Sequence, residues 1–361
     1  MQIERTLILV INPRAVYTRI AIYENYNILF LKDIQHPDQE LGRFSHITEQ
    51  LNYRKKKILN ELENNSLCMD CIKAVVGRGG LVKPVQSGIY AINDALIHDL
   101  KSAEYGEDPV DLGGLLAVEI AQELKSEVKS YMVDPVTVDE FNDYARFTGH
   151  PDFERKSVFH TLNQKAIARR HAKALMREYN EMKLIVVHLG SGISVSAHEM
   201  GRVVDSNQVL DGDGPFSPER TGSLPIGDVV RYCFNSGKSE TEVINMLMHG
   251  GGLKAYLGTF SALEVDARVN HEDPEAIKVF GAMAYQVCKE IGAMFAVLNS
   301  EIDGIIITGG IANSRWFINE IIQRVEKMGP VHVYPGVREL DSMAQRALEA
   351  LRDEVEVLEY K

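Results

Sequence analysis

Short runs of aliphatic and β-branched residues recur along this chain, and each closes on a polar or glycine-rich turn. Residues 6–12 (TLILVIN) lead into Asn12-Pro13 and restart as IAIY, and the stretch from Lys183 (KLIVVHLGSGISVSAHEMGRVV) repeats the plan across HLGSGIS. Continuous apolar runs of this length bounded by turn residues read as buried strands, so both stretches are expected to be hairpins. A third run, DGIIITGG from Asp303, passes into a helix through Asn313 and Ser314, residue types that cap helix N-termini. The likeness of the two hairpins predicts a duplicated domain. Apolar positions three to four apart predict helices over 40–65, 112–127, 160–179 and 275–299. The last is Ala-rich and apolar on most faces, the pattern of a buried central helix. Arg54-Lys55-Lys56-Lys57 lies on the first, followed by Glu61 and Glu63, and reads as a solvated face rather than a phosphate patch.

Composition narrows the function classes. The 361 residues are 45% hydrophobic and 25% charged, enough for two domains of ordinary size. The net charge of −12 sets the overall field against a phosphate backbone, so nucleic acid is not an expected partner. The N-terminal apolar run is too short for a signal peptide, and no run approaches the roughly 20 apolar residues of a membrane span, so a cytoplasmic protein is expected. Four cysteines are too few and too scattered for a disulfide framework. Cys68-Met-Asp-Cys71 has redox or zinc spacing, but no second pair completes a metal site; the alternative is two thiols near a strand start.

Several segments carry candidate chemistry. In His188-Leu-Gly190-Ser191-Gly192, glycines at a strand-to-strand turn allow backbone N–H groups close to an anion, and Ser191 and Ser194 add hydroxyls, which suits polyphosphate; a ligand-free Gly-rich hairpin is the other reading. A dinucleotide fingerprint would need a third glycine and a helix, and a hydrolase elbow would need G-x-S-x-G. LDGDGPFSPERTG begins like a calcium loop, but the twelfth position from Asp211 is Gly222 rather than Glu; the loop instead presents Arg220, suited to spread phosphoryl charge. The Gly309-Gly310 turn lets a flat group or a phosphate lie against backbone at a helix N-terminus. Asp134 in VDPV, His160 in RKSVFH and Arg78 in VVGRGG add an acid, a ring donor and a fixed cation, or alternatively a turn residue, a helix cap and a surface ion pair.

In this order, AVVGRGGL, VDPVTVDE, GHPDFERKSVFHTLNQK, HLGSGIS, LDGDGPFSPERTGSLP, GGLKAYLGT, AMAYQV and ITGGIANS resemble the acetate and butyrate kinase family, the butyrate kinases in particular. The resemblance implies an α/β fold of two duplicated actin-like, ribonuclease H-like domains, with mixed sheets flanked by helices and a cleft between them. Residues 1–155, joined by 336–361, would form the first domain, and 156–335 the second, carrying most of the nucleotide site. It further implies ATP with Mg2+, reversible phosphoryl transfer to a short-chain carboxylate such as butyrate or a branched relative, and a homodimer meeting near helix 275–299 and GGLKAYLGT. Arg78 would bind the carboxylate, and His160 and Arg220 would stabilise the transferring group. His188, Gly190, Ser191 and Gly192 would hold phosphates, Gly309, Gly310 and Ile311 adenosine, and Asn12, Asp134 and Glu339 the metal.

The chain departs from the family pattern at four places. Relatives read N-P-G-S-T-S-T-K where this chain has NPRAVYTR, placing Arg14, Ala15, Val16 and Tyr17 in the first phosphate loop. Asp108 replaces a site histidine, Phe260-Ser-Ala-Leu263 stands for S-D-A-R, and Arg338-Glu339-Leu340-Asp341 stands for N-E-E-E. A catalytically silent binding or regulatory protein is the alternative function these departures raise.

Overall fold

The computed structural model describes residues 6–124, 127–210, 212–336 and 338–361. Asp211, residues 1–5 of the N-terminal run and residues 125–126 of the second expected helix lie outside the described residues. The chain divides into two units, Met1–Val138 with Arg338–Lys361, and Asp139–Val337.

In chain order the first unit carries β1 (Leu7–Pro13), β2 (Tyr17–Glu24), β3 (Asn27–Gln35), β4 (Ile72–Arg78), β5 (Ile89–Ala91) and β6 (Lys129–Val133). The second carries β7 (Lys183–Leu189), β8 (Ile193–Glu199), β9 (Arg202–Ser206), β10 (Gly304–Gly309) and β11 (Val331–Pro335), and the chain then returns to the first unit for β12 (Val357–Glu359). The sheets run β12-β5-β6-β4-β1-β2-β3 and β11-β10-β7-β8-β9. In both, an antiparallel three-strand meander continues through its first strand into two parallel strands: β3-β2-β1-β4-β6 matches β9-β8-β7-β10-β11 in order and direction. The duplication expected from the two hairpins is therefore present, extended in each case by a third antiparallel strand. The fold is α/β, with mixed sheets flanked by helices.

Each core follows from the apolar runs. Leu9, Ile11, Ile20 and Ile22 pack with Leu115, Leu116 and Ile120 of the helix Leu112–Leu124. That helix starts in contact with β4: a Cβ on Gly77 would lie 2.0 Å from the Gly113 carbonyl oxygen, and one on Gly113 would lie 2.3 Å from that of Arg78. The glycine pair thus sets where the end of β4, and with it Arg78, is held. In the second unit, Ile185, Val187, Val195 and Ile307 pack against Phe280, Met283, Val287 and Ile291 of the helix Pro274–Val297. The buried central helix expected here packs into the core along one face, with Ile277, Tyr285 and Val297 exposed on the others. The helix expected over 40–65 is broken: a four-residue helix at Asp38–Leu41 closes at Gly42, a 3-10 turn follows at Ile47–Gln50, and the α-helix runs from Leu51 to Asn64. That expected over 160–179 stops at Ala174.

Two further readings change. Cys68 and Cys71 form a disulfide rather than standing as two thiols. The basic run is not a uniform solvated face: Arg54 is fully buried, Lys55 pairs with Glu119 and Glu123, and Lys57 pairs with Glu40. Among the described residues no helix is long and apolar enough to cross a membrane.

Candidate functional site

The sequence-predicted residues fall into two clusters, one in each unit. The first stands at the C-terminal ends of the adjacent parallel strands β1 and β4. Asn12 and Arg78, both buried, project there, and Glu339 joins them from the first turn of the helix Glu339–Leu351. Met343, Ala344, Ala347 and Leu348 bury one face of that helix, and the Tyr23 hydroxyl donates to Asp341 at 2.6 Å, fixing its first turn. Glu339 Oε2 accepts from Asn12 Nδ2 (2.8 Å), Arg78 Nη1 (2.9 Å) and Arg14 Nη2 (2.5 Å). Burial and the neighbouring Arg14 charge push the Arg78 guanidinium down to about 10, with Glu339 and Asp108 acting the other way. Asp134 follows β6 in a left-handed backbone conformation, φ 38°, and its Oδ1 accepts from Ser87 Oγ (2.6 Å) and Gly88 N (2.9 Å).

The Glu339 oxygen on which these donors converge does not fit a resident divalent ion. The carboxylate oxygen of Glu339 already has three N–H donors, two of them on guanidinium groups. A doubly charged ion beside them would meet a repulsion of about 4 kcal/mol per pair of unit charges at ~4 Å. Among the described residues no group of three or more His, Cys, Asp or Glu side chains could hold a metal ion.

The first loop is a tight hairpin turn closed by Arg14 N–H donating to Tyr17 O. Arg54 supports it from beneath, donating to the carbonyls of Arg14 (2.8 Å), Ala15 (3.0 Å) and Tyr17 (3.4 Å) and to Thr18 Oγ1 (3.1 Å). Gln50 Oε1 takes its remaining donors. Arg19 is held by Asp33 in a two-pronged pair at 2.6 Å. Asp108 caps the turn Pro109–Asp111 by accepting from Val110 N–H at 3.0 Å.

Beside this loop, His36 bonds Thr18 Oγ1 at 2.8 Å, and burial, then the charges of Arg54 and Lys57, push its pKa from 6.5 down to about 4. The folded protein keeps the ring neutral where the unfolded chain protonates it, so stability is expected to fall as pH drops from about 6.5 toward 4. Urea midpoints at pH 7.5, 6 and 5 check this: His36→Gln is expected to flatten the slope, and an unchanged slope would refute the assignment.

The second cluster gathers on the β7–β8 hairpin. His188 pairs with Ser194 across the two strands and stacks on His160, ring centroids 3.9 Å apart and 17° from parallel. His160 occupies the position before the helix Thr161–Ala174 but does not cap it through its side chain; its Nδ1 bonds Ser194 Oγ at 2.8 Å. Gln164, one turn further along, donates to that hydroxyl at 2.8 Å and accepts from His198 Nε2 at 2.9 Å, and His198 Nδ1 bonds the Tyr179 hydroxyl at 2.8 Å. Burial, then Lys165 and Arg169, keep His198 neutral. The chain of bonds orients Gln164 and, through Ser194 Oγ, fixes the His160 ring in place.

Arg220 reaches the same place. A Cβ on Gly192 would lie 2.2 Å from Arg220 Nη1 and 3.4 Å from His160 Cε1, so only glycine leaves room for both. Arg220 Nη1 donates to Val209 O at 2.8 Å, and its loop is tied to the hairpin by Ser217 Oγ donating to Ser191 O. The Gly190 N–H donates inside the turn to Gly192 O, and the Ser194 hydroxyl is buried in the Gln164 network, so neither matches the expectation of donors held open for an anion. On β10, Gly309 adopts φ 100°, and a Cβ there would lie 2.2 Å from Leu189 O; it exchanges two backbone bonds with Gly336. Gly310 faces open space and Ile311 is buried, ahead of Ser314, which caps the helix Arg315–Val325 as expected.

Sequence reasoning missed Arg54, Gln164 and His198. Two of them carried a signal: Arg54 lies on the apolar stripe Leu51–Ile58–Leu62, and Gln164 is four residues from His160 on one helix face.

Comparison with known proteins supplies the family. Among solved structures, the Porphyromonas gingivalis acetate kinase is similar at TM-score 0.79 and 15% identity, covering 96% of this chain and 100% of that one. A propionate kinase from Francisella tularensis subsp. tularensis follows at 0.76 and 19% (94% and 98% covered), and the Entamoeba histolytica acetate kinase at 0.74 and 15% (98% and 99%). A ROK family transcriptional regulator shares the fold at TM-score 0.53, which together with the kinases makes the architecture actin-like. The sequence profile of the acetokinase family matches residues 152–349, more than half of the chain and the whole His160–Arg220 cluster. This chain belongs to the acetokinase family.

Proposed function

We propose that the protein is a short-chain acyl kinase of the butyrate kinase type, moving the terminal phosphoryl group of ATP to butyrate or a branched relative and giving an acyl phosphate and ADP, reversibly. The observation that carries this reading is the gathering of Arg220 and His160 at Gly192, with His188 stacked on His160 beside Gly190. Phosphoryl transfer asks little covalent work of a protein and much charge stabilisation, which fixed donors supply. In this reading Arg220 and His160 face the transferring oxygens. His188, Gly190, Ser191 and Gly192 line the phosphates, Gly309, Gly310 and Ile311 the adenosine, and Arg78 takes the carboxylate. The carboxylate is ionised at neutral pH and is itself the nucleophile, so no general base is required. Mg2+ would enter as part of the nucleotide substrate and would supply charge neutralisation to its phosphates.

A homodimer goes with this reading. Phe234 (87% exposed), Leu263 (81% exposed), Ile226 and Tyr256 leave apolar surface of the second unit uncovered, as a protein contact requires.

A catalytically silent family member is the second reading, favoured by one observation: Arg14 and Arg19 engage Glu339 and Asp33 rather than standing free in the first loop. Magnesium-ATP with acetate, propionate, butyrate and isobutyrate, trapped as the hydroxamate, separates the two, with light scattering reading the mass of the same sample. Product from butyrate or isobutyrate is the expected result. Saturable ATP binding with no product across the panel would overturn the enzyme in favour of the silent form.

A further inference from the structure

Arg14 stands where the family pattern has glycine, and its guanidinium sits on Glu339. We propose that Arg14 is a built-in cation of the first loop, taking the place of a divalent metal at Glu339. The inference concerns cation binding by the chain alone and goes beyond the acyl kinase reading.

Four observations support it. Glu339 is buried, its side chain 5% exposed, and one of its oxygens receives Arg14, Arg78 and Asn12 together. Asn12, whose amide oxygen would be the natural metal donor, turns its nitrogen to Glu339 and its Oδ1 toward Arg78 at 3.5 Å. The turn that delivers Arg14 is fixed on both sides, by Arg14 N–H to Tyr17 O and by Arg54 on the Arg14 carbonyl, so the guanidinium is presented by an anchored backbone. Two guanidinium groups on the one Glu339 oxygen place two positive charges where a dication would have to sit, which repels it.

Manganese titration of the full-length, nucleotide-free protein, followed by the electron paramagnetic resonance signal of free Mn2+, tests the proposal. The wild type is expected to show no saturable site. Arg14→Gly, and independently Arg14→Gln, which keeps a side chain of similar reach, are expected to gain one site binding at least ~100-fold tighter, lost again on adding Glu339→Gln. Circular dichroism establishes that each variant is folded, and the Gln variant decides the matter if the Gly variant is not. Wild-type binding as tight as that of the variants would overturn the proposal. So would no gain in a folded variant, or a gained site that survives Glu339→Gln. None of these outcomes depends on whether the protein turns over any acid.

Discussion

Replacing Arg220 by Ala is expected to lower the rate of acyl phosphate formation about a thousandfold, the scale on which a guanidinium aimed at a transferring phosphoryl group acts. The side chain lies over Gly192 beside His160, with one nitrogen held by the Val209 carbonyl, so its position is set before substrate arrives. Such preorganisation means that the loss falls on kcat more than on KM. Arg220→Lys keeps the charge but not the planar fork and is expected to recover only part of the rate. Hydroxamate trapping with butyrate and magnesium-ATP gives the numbers, and thermal unfolding of the same samples gives the control. A variant within threefold of the wild type would remove Arg220 from the chemistry, and a large drop in the melting temperature would assign it a structural role instead.

Arg54→Met is expected to cost about 3 kcal/mol, because three loop carbonyls, Thr18 Oγ1 and Gln50 lose a shared buried donor. At the usual scaling this lowers the melting temperature by roughly 8 °C. Lys56→Met, two residues along and exposed, is expected to change stability by less than about 0.5 kcal/mol. Calorimetry of the pair decides: equal shifts would mean that the basic run behaves as one solvated face after all. The contrast matters for function, since Arg54 holds the backbone that presents Arg14 to Glu339.

Much of the fold was legible because burial on a sheet writes itself locally. A strand such as LILVIN, buried at every position, needs only its own residues and a turn signal to be recognised. The capping role of Ser314 and the repeat of the hairpin were readable for the same reason. What was less legible concerned side chains whose partners are distant in sequence. Arg54 looks like its lysine neighbours in one dimension and differs only in facing the inner side of its helix, against the loop 36 to 40 residues earlier. The apparent openness of the HLGSGIS turn failed similarly: glycines and serines promise donors, but Gly190 N–H and Ser194 Oγ are engaged by the hairpin and by Gln164.

By itself the sequence determined the class of protein: alternating apolar runs and helical stripes set an α/β duplication, and HLGSGIS with LDGDGPFSPER set the kinase family. Both are properties of local order, and local order survives in one dimension. Only the tertiary structure decided which charges meet in the first cluster, because Asn12 and Arg14, Arg78, and Glu339 come from three places in the chain and meet at the ends of β1 and β4. Which cation stands on a buried carboxylate is a matter of distances of about 3 Å, and no spacing along the chain specifies those.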